Sequence, residues 1–318
     1  MIKTIGEFAL VLSICILPTH GLASQDAGYN AVIDDSKPGT LVHYPSFPSN
    51  LVETRPVDVW IPDGYEESDD PYSVIYMHDG QFMFDRSTSP YTGIWERIKG
   101  SIYGGVFWNV DETITDLIST KQIRPSIVVS VWNLPKVKRR TEYMPQKPVT
   151  EEIGRLLLTE SDITREAITS DNYLKFLVSE LKPFIDKTYL TKPDADNTLI
   201  IGSSMGGMIS AYALSEYPEV FGAAACLSTH WVLGEGAVVN WYKNNWPVAG
   251  THRLYFDYGT KSFDAEYEPF QKKMDALMRQ KGYRENEDWV THRFEGASHL
   301  PRAWRERLHI PLKFLLGT

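Results

Sequence analysis

Thr198-Leu199-Ile200-Ile201-Gly202-Ser203-Ser204-Met205-Gly206-Gly207 passes from a short apolar, β-branched run into a turn of glycines and serines. The run reads as a buried strand. From Met205 to Tyr217 apolar residues recur at helical spacing, and no proline interrupts before Pro218. The turn between them fits Gly-x-Ser-x-Gly with Ser204 at its centre. A serine on a sharp strand-to-helix turn holds its hydroxyl clear of the backbone, where it can attack a carbonyl. Small glycines on both sides let the turn tighten without clashes. The helix that follows supplies free N–H groups and the positive end of its dipole. A glycine-rich turn that merely contains serines is the alternative, and the strand before and helix after weigh against it.

Outward from this turn the same alternation repeats. Val57, Val59 and Ile61 alternate with Asp58 and Trp60, the period-2 pattern of a half-exposed strand. Ser73 to Met77, Ile127 to Val131, Leu199 to Ile201, Ala223 to Leu227, Leu254 to Phe256 and Val290 to Phe294 read as further strands. Most are continuous apolar runs, as expected of parallel strands covered on both faces. Between them, Tyr173 to Lys187 carries Leu174, Leu177, Leu181 and Ile185 on one helical face, with a kink expected at Pro183. Glu266 to Gln280 carries Tyr267, Phe270, Met274, Leu277 and Met278, a stripe for core packing. Strands and helices in turn predict one α/β domain over residues 24–318, built on a doubly wound sheet. Ligands on such sheets bind at the carboxyl ends of the strands, so the loops after His78, Val131, Ile201, Leu227 and Phe256 should meet at one site. The Pro-rich, then polar stretch at about 133–170 is the candidate lid or substrate-binding insertion.

A serine hydroxyl needs a base to take its proton and an acid to orient the base. In this arrangement the order along the chain is Ser, Asp/Glu, His, each after a later strand. His299 stands in a short glycine-bearing loop after the last predicted strand and is the candidate base; His309 falls inside a helical stretch and His292 inside a strand. Asp257, Asp264 and Glu266 all follow the strand Leu254 to Phe256. Asp264 is favoured as the acid, against a competing use as a helix cap. The developing oxyanion needs two backbone donors. One falls to Met205, next to the nucleophile, and the other to Gln81 in the loop Met77-His78-Asp79-Gly80-Gln81, with His78 as a support.

With 318 residues, 42% hydrophobic and 23% charged, the chain can bury a large core and shows no bias toward disorder. Its formal net charge of −9 and the absence of a Lys/Arg stripe argue against nucleic acid as a partner. Residues 1–23 read as a secretory signal peptide: Lys3 in the n-region, Phe8 to Leu17 as the apolar core, and Gly21-Leu22-Ala23 before the cleavage point. The expectation is an exported, periplasmic or secreted protein without a permanent membrane anchor, because ten apolar residues are too few to span a bilayer. Cleavage would leave Cys226 as the single cysteine, in an apolar strand, as a buried thiol. The histidines and cysteines lack metal-ligand spacing, so neither a metal nor an organic cofactor is expected.

These pieces resemble the esterase family of α/β hydrolases that includes feruloyl and acetylxylan esterases, enterobactin-type siderophore esterases, esterase D relatives and mycolyltransferases. The resemblance runs from about Val57 to Leu316. It is carried by Met77 through Asp85, Asp111 near Trp108, Arg139 through Pro145, Gly202 through Gly207, Leu227 through Trp231, Asp257 through Thr260 with Asp264, and Gly296 through His299 followed by Trp304. It implies an α/β-hydrolase fold, a mostly parallel sheet with antiparallel N-terminal strands and an insertion. It also implies a triad of Ser204, Asp264 and His299, with Asp79, Arg139, Glu142, His230 and Trp231 at or near the substrate pocket. A structural Arg–Glu pair is the other use for Arg139 and Glu142. The activity implied is that of a serine carboxylesterase acting on a small-molecule or carbohydrate-linked ester. Feruloyl or acetyl esters of polysaccharides are one option, and nine tryptophans, among them Trp108, Trp132, Trp231, Trp241 and Trp246, would suit stacking on such rings. A siderophore trilactone, acyl transfer, and a non-catalytic binding protein on the same scaffold are the rivals. The oligomeric state is left open.

Overall fold

The computed structural model describes residues 30–65, 68–90, 105–135, 137–150, 158 and 163–318. The leader at 1–23 and parts of the 133–170 segment lie outside the described residues. One nine-stranded sheet runs in the order β1-β2-β3-β5-β4-β6-β7-β8-β9. Its strands are β1 (Val32–Asp34), β2 (Thr40–Phe47), β3 (Arg55–Ile61), β4 (Ser73–His78), β5 (Ser126–Val131), β6 (Thr198–Ser203), β7 (Ala223–Leu227), β8 (Arg253–Lys261) and β9 (Trp289–Ser298). β1, β2 and β3 pair antiparallel, and β3 pairs antiparallel with β5. Every pairing from β5 across to β9 is parallel. This is the α/β-hydrolase architecture.

Successive side chains on each strand point to opposite faces, and the core divides accordingly. Val74, Tyr76 and Ile200 pack on one face with the helices Ser170–Phe176, Met205–Glu216 and Glu268–Gln280. Ile75, Met77, Leu199 and Ile201 pack on the other with Val110–Ser119 and His309–Leu316. The apolar runs read from the sequence are buried on both sides for this reason.

Two elements differ from expectation. β3 is not half exposed: Asp58 is 3% and Trp60 0% exposed. Asp58 is tolerated inside because His43 Nδ1 lies 2.5 Å from one carboxylate oxygen and Trp132 Nε1 donates to the other at 2.6 Å. Around Pro183 the irregularity of the helix lies ahead of the proline. A wider π-turn, Leu177–Leu181, separates Ser170–Phe176 from Lys182–Thr188. A proline donates no N–H, and the ladder adjusts in the turn preceding it.

Candidate active site

β6 ends at Ser203, and Ser204 then takes φ 57° and ψ −122°, a conformation costly for any residue with a side chain. The turn is clamped around it. Ser204 N–H donates to Leu227 O at 2.9 Å, while Ser204 O accepts from Gly207, Met208 and His230 N–H groups at 3.1, 3.2 and 3.3 Å. Gly202 is forced by this geometry: a Cβ there would stand 2.4 Å from the Gly206 carbonyl carbon and oxygen. At Gly207 a Cβ would stand 2.6 Å from Thr229 Oγ1.

Asp264 and His299 follow the last two strands of the sheet. β8 is followed by the 3-10 turn Ser262–Glu266, which buries Asp264, and β9 delivers His299 just past its end. His299 Nδ1 lies 2.6 Å from Asp264 Oδ1. The other carboxylate oxygen accepts from Ser228 Oγ at 2.6 Å and from Gly259 N–H at 2.7 Å. Burial opposes the charge on Asp264, but the hydrogen bonds from His299, Ser228 and Gly259 outweigh it and hold the carboxyl below its ordinary range. The two other candidate acids are placed elsewhere. Asp257 is fully buried against Arg307, whose Nε and Nη2 donate to its two oxygens at 3.0 and 2.8 Å, and Glu266 is exposed. Ser228 joins the two carboxylates: it donates to Asp264 and accepts from Arg307 Nη2 at 2.8 Å and Trp304 Nε1 at 3.0 Å. Trp304 packs edge-on against His299, ring centroids 5.0 Å apart.

The loop after β4 faces the nucleophile turn. A Cβ on Gly206 would lie 3.4 Å from Asp79 Oδ2. Asp79, at φ 59°, starts the turn Gly80–Phe82. Arg139 grips its carboxylate through Nε and Nη2 at 2.6 and 2.7 Å, and Asn133 Nδ2 donates at 2.5 Å. Burial alone would raise the Asp79 carboxyl; Arg139 and Asn133 pull it below the usual range. The segment from 133 thus reaches the site through two side chains. Neither Gln81 N–H nor Met205 N–H has an acceptor among the described residues. His78 is buried beneath this loop, with Nδ1 2.8 Å from the Tyr173 hydroxyl, and burial drives its imidazole down to about 3.

Two expected pocket residues are not presented to a ligand. Glu142 is 3% exposed and takes both Nη donors of Arg55 at 2.8 and 2.7 Å, so the Arg–Glu pair is a buried structural one and its arginine is not Arg139. Trp231 is 1% exposed and donates to Gln271 Oε1 at 2.9 Å inside the core. Trp108, Trp241 and Trp246 are likewise buried, so the stacking expected of them is spent on the core. His230 does lie at the site. Its Nδ1 is 2.7 Å from the Tyr267 hydroxyl, and burial, with His299 and Arg139 adding to it, lowers the imidazole to about 4. Tyr267 packs edge-on against His299, ring centroids 5.6 Å apart. Phe263, 69% exposed, also meets the His299 ring edge-on, centroids 5.8 Å apart. Phe263 carries no motif signal, Tyr267 reads from the sequence as part of a core stripe, and Ser228 stands within the Leu227–Trp231 stretch without being singled out there; a candidate list drawn from every polar or aromatic residue flanking the predicted strand ends would have held them.

The sequence profile of the family described as "Putative esterase" matches residues 49–309. The chain belongs to this esterase family. An endo-1,4-beta-xylanase/feruloyl esterase of Xylanibacter ruminicola is 25% identical over 211 residues, 65% of this chain, and the chain spans 24% of that relative's length. Among solved structures, a ferulic acid esterase superposes with a TM-score of 0.58 at 17% identity, covering 88% of this chain and 99% of the other. The enterobactin esterase of Shigella flexneri does so with 0.59 at 17% identity, over 88% of this chain and 59% of its own. At these identities the structural likeness speaks for the fold that this chain shares with them.

Proposed function

We propose that this esterase-family protein is a serine carboxylesterase with Ser204 as nucleophile, His299 as base and Asp264 as the acid that orients it. The observation that carries the reading is the 2.6 Å contact between His299 and the buried Asp264 carboxylate, with Tyr267 lying against His299 and hydrogen-bonded to His230, whose backbone N–H donates to Ser204 O. Asp264 fixes the tautomer with the proton on Nδ1, so Nε2 is free to accept the Ser204 proton as its oxygen attacks the ester carbonyl. Gln81 and Met205 N–H groups hold the resulting oxyanion; one such donor accounts for about 10²–10³ in turnover. His299 then protonates the departing alcohol, and water, activated the same way, releases the acid. Family membership supports this chemistry, and the leader's composition supports export as its setting.

For the substrate we infer a feruloyl- or acetyl-type ester borne by a carbohydrate. Phe263 offers an exposed ring beside His299, the group that hands a proton to the leaving alcohol, and a sugar can lie against such a ring. A catecholate siderophore lactone is less well served: Arg139 is already committed to Asp79, and His230 is held neutral. The purified protein should hydrolyse methyl ferulate or acetylated xylan faster than a siderophore trilactone. Turnover of the trilactone alone would replace this substrate assignment, and no Ser204-dependent turnover of any ester, including p-nitrophenyl acetate, would remove the esterase reading.

A further inference from the structure

The site contains one charged pair that takes no part in the steps above. Asp79 Oδ1 accepts from Arg139 Nε and Asn133 Nδ2, and Asp79 Oδ2 accepts from Arg139 Nη2. The Asp79 and Arg139 side chains are 10% and 27% exposed, so water and salt screen the pair poorly. Its position matters more than its strength. Asp79 stands two residues before Gln81, and its Oδ2 lies 3.4 Å from where a Cβ on Gly206 would be, next to Met205. One carboxylate therefore adjoins both turns that carry the oxyanion donors. Asp79 itself has φ 59° and ψ 41°, a left-handed conformation that needs support from outside the turn. Its N–H donates to the Tyr143 hydroxyl at 3.1 Å, and Asn133 N–H donates to Gln81 Oε1 at 3.2 Å. Gly80 backs onto the end of β5, where a Cβ would stand 2.8 Å from the Ser130 carbonyl carbon and 2.7 Å from Trp132 Cδ1. Arg139 is held in turn over the Tyr143 ring, 5.1 Å from its centroid.

We propose that Arg139 and Asn133 are positioning residues for the oxyanion hole: by gripping the Asp79 carboxylate they fix the direction of the Gln81 N–H relative to that of Met205. The inference rests on Ser204 being the nucleophile and on Gln81 and Met205 being the donors. As Ser204 Oγ bonds to the acyl carbon, the carbonyl π pair moves onto the carbonyl oxygen. A donor helps that oxygen only if it already faces it. Arg139 also cancels the Asp79 charge, which left alone would repel the oxyanion. Water attacking the acyl-enzyme raises a second oxyanion in the same hole. Both halves of turnover therefore slow together when the grip is lost, and KM hardly moves. A direct contact between Arg139 and substrate would instead raise KM and depend on which ester is used.

Wild type, Arg139→Ala, Arg139→Lys, Asn133→Ala, Asp79→Asn, the double variant Asp79→Asn/Arg139→Ala and Ser204→Ala should be compared on p-nitrophenyl acetate and methyl ferulate, with thermal melting to check folding. Arg139→Ala should lower kcat by about 10–10²-fold on both esters while KM stays within about twofold, because a misaimed donor loses much of what it supplies. Arg139→Lys keeps the charge without the two-pronged grip and should fall between it and wild type. Asparagine also tolerates positive φ, so Asp79→Asn removes the ion pair and leaves the turn unstrained. It should cost about tenfold, and the double variant should be no slower than Arg139→Ala, since both changes break one contact. A folded Arg139→Ala with wild-type kcat, a loss confined to KM or to methyl ferulate, or losses that multiply in the double variant overturns the proposal. Should Arg139→Ala not fold, wild-type kcat in both Arg139→Lys and Asn133→Ala overturns it instead. Undiminished hydrolysis by Ser204→Ala would show that the nucleophile assignment itself had failed, whereas wild-type kcat in the Arg139 and Asn133 variants beside an inactive Ser204→Ala would fault the positioning role alone.

Discussion

Ser204 carries a cost that its side chain imposes. At φ 57° and ψ −122° only glycine is comfortable, and such strain amounts to about 1–3 kcal/mol. Ser204→Gly should therefore melt above Ser204→Ala, because alanine keeps the Cβ and the strain; equal melting temperatures would mean the turn is not strained. Ser228 is the next decisive residue. Removing its hydroxyl takes one of three hydrogen bonds from Asp264 and leaves Arg307 Nη2 and Trp304 Nε1 short of an acceptor. Ser228→Ala should cost about 1.5–3 kcal/mol in urea unfolding, as for a hydrogen bond to a charged group, and lower kcat/KM by about tenfold. At this scale the sequence was legible where backbone pattern dictates position. Ser204 and His299 stand out as candidates from a turn and a loop. Among Asp257, Asp264 and Glu266 the sequence favoured Asp264, while Arg307, far along the chain, is the partner that claims Asp257. Trp231 was misplaced for a related reason: standing after a strand end fixes where a residue is, not which way its ring turns.

At the scale of elements, the nucleophile turn is held by the close approach of β6 to the helix Met205–Glu216. Gly202→Ala would drive a methyl group to 2.4 Å from the Gly206 backbone, which cannot rotate away. We expect that variant to lose activity almost completely and to unfold at least about 2 kcal/mol more easily, as other overpacked sites do. Wild-type turnover in it would mean that the turn is looser than described. The parallel half of the sheet was readable because its strands are uninterrupted apolar runs. β3 was misread because Asp58 and Trp60 imitate a solvent-facing row, when their polar atoms are met from within by His43, Trp132 and the Pro38 carbonyl. β1 and β2 offered little, lying in a stretch rich in turn-forming residues.

Across the whole molecule, acid should be the agent that opens it. Burial lowers His78 from 6.5 to about 3 and His230 from 6.5 to about 4, so between those values the unfolded chain binds protons that the folded one refuses. Each such histidine tilts the unfolding free energy by up to about 1.4 kcal/mol per pH unit, stability falling as pH falls below 6.5. Asp264 and Asp79 are held below their ordinary value of 3.8, so their contribution is present above that pH and is lost as pH drops further. The two groups act in the same direction. Urea unfolding at pH 7, 5.5 and 4.5 should show a monotonic loss, and His78→Gln should flatten it; a stability that is level from pH 7 to 4.5 would contradict the buried, neutral state of these rings.

Every proposed step begins with Ser204 as the group that attacks. Treating the intact protein with a fluorophosphonate and mapping the adduct by peptide mass spectrometry tests this without assuming any substrate. We expect a single adduct, on Ser204, absent from Ser204→Ala and formed much more slowly in His299→Ala. An adduct on another residue, or none on a folded wild-type protein, would contradict it.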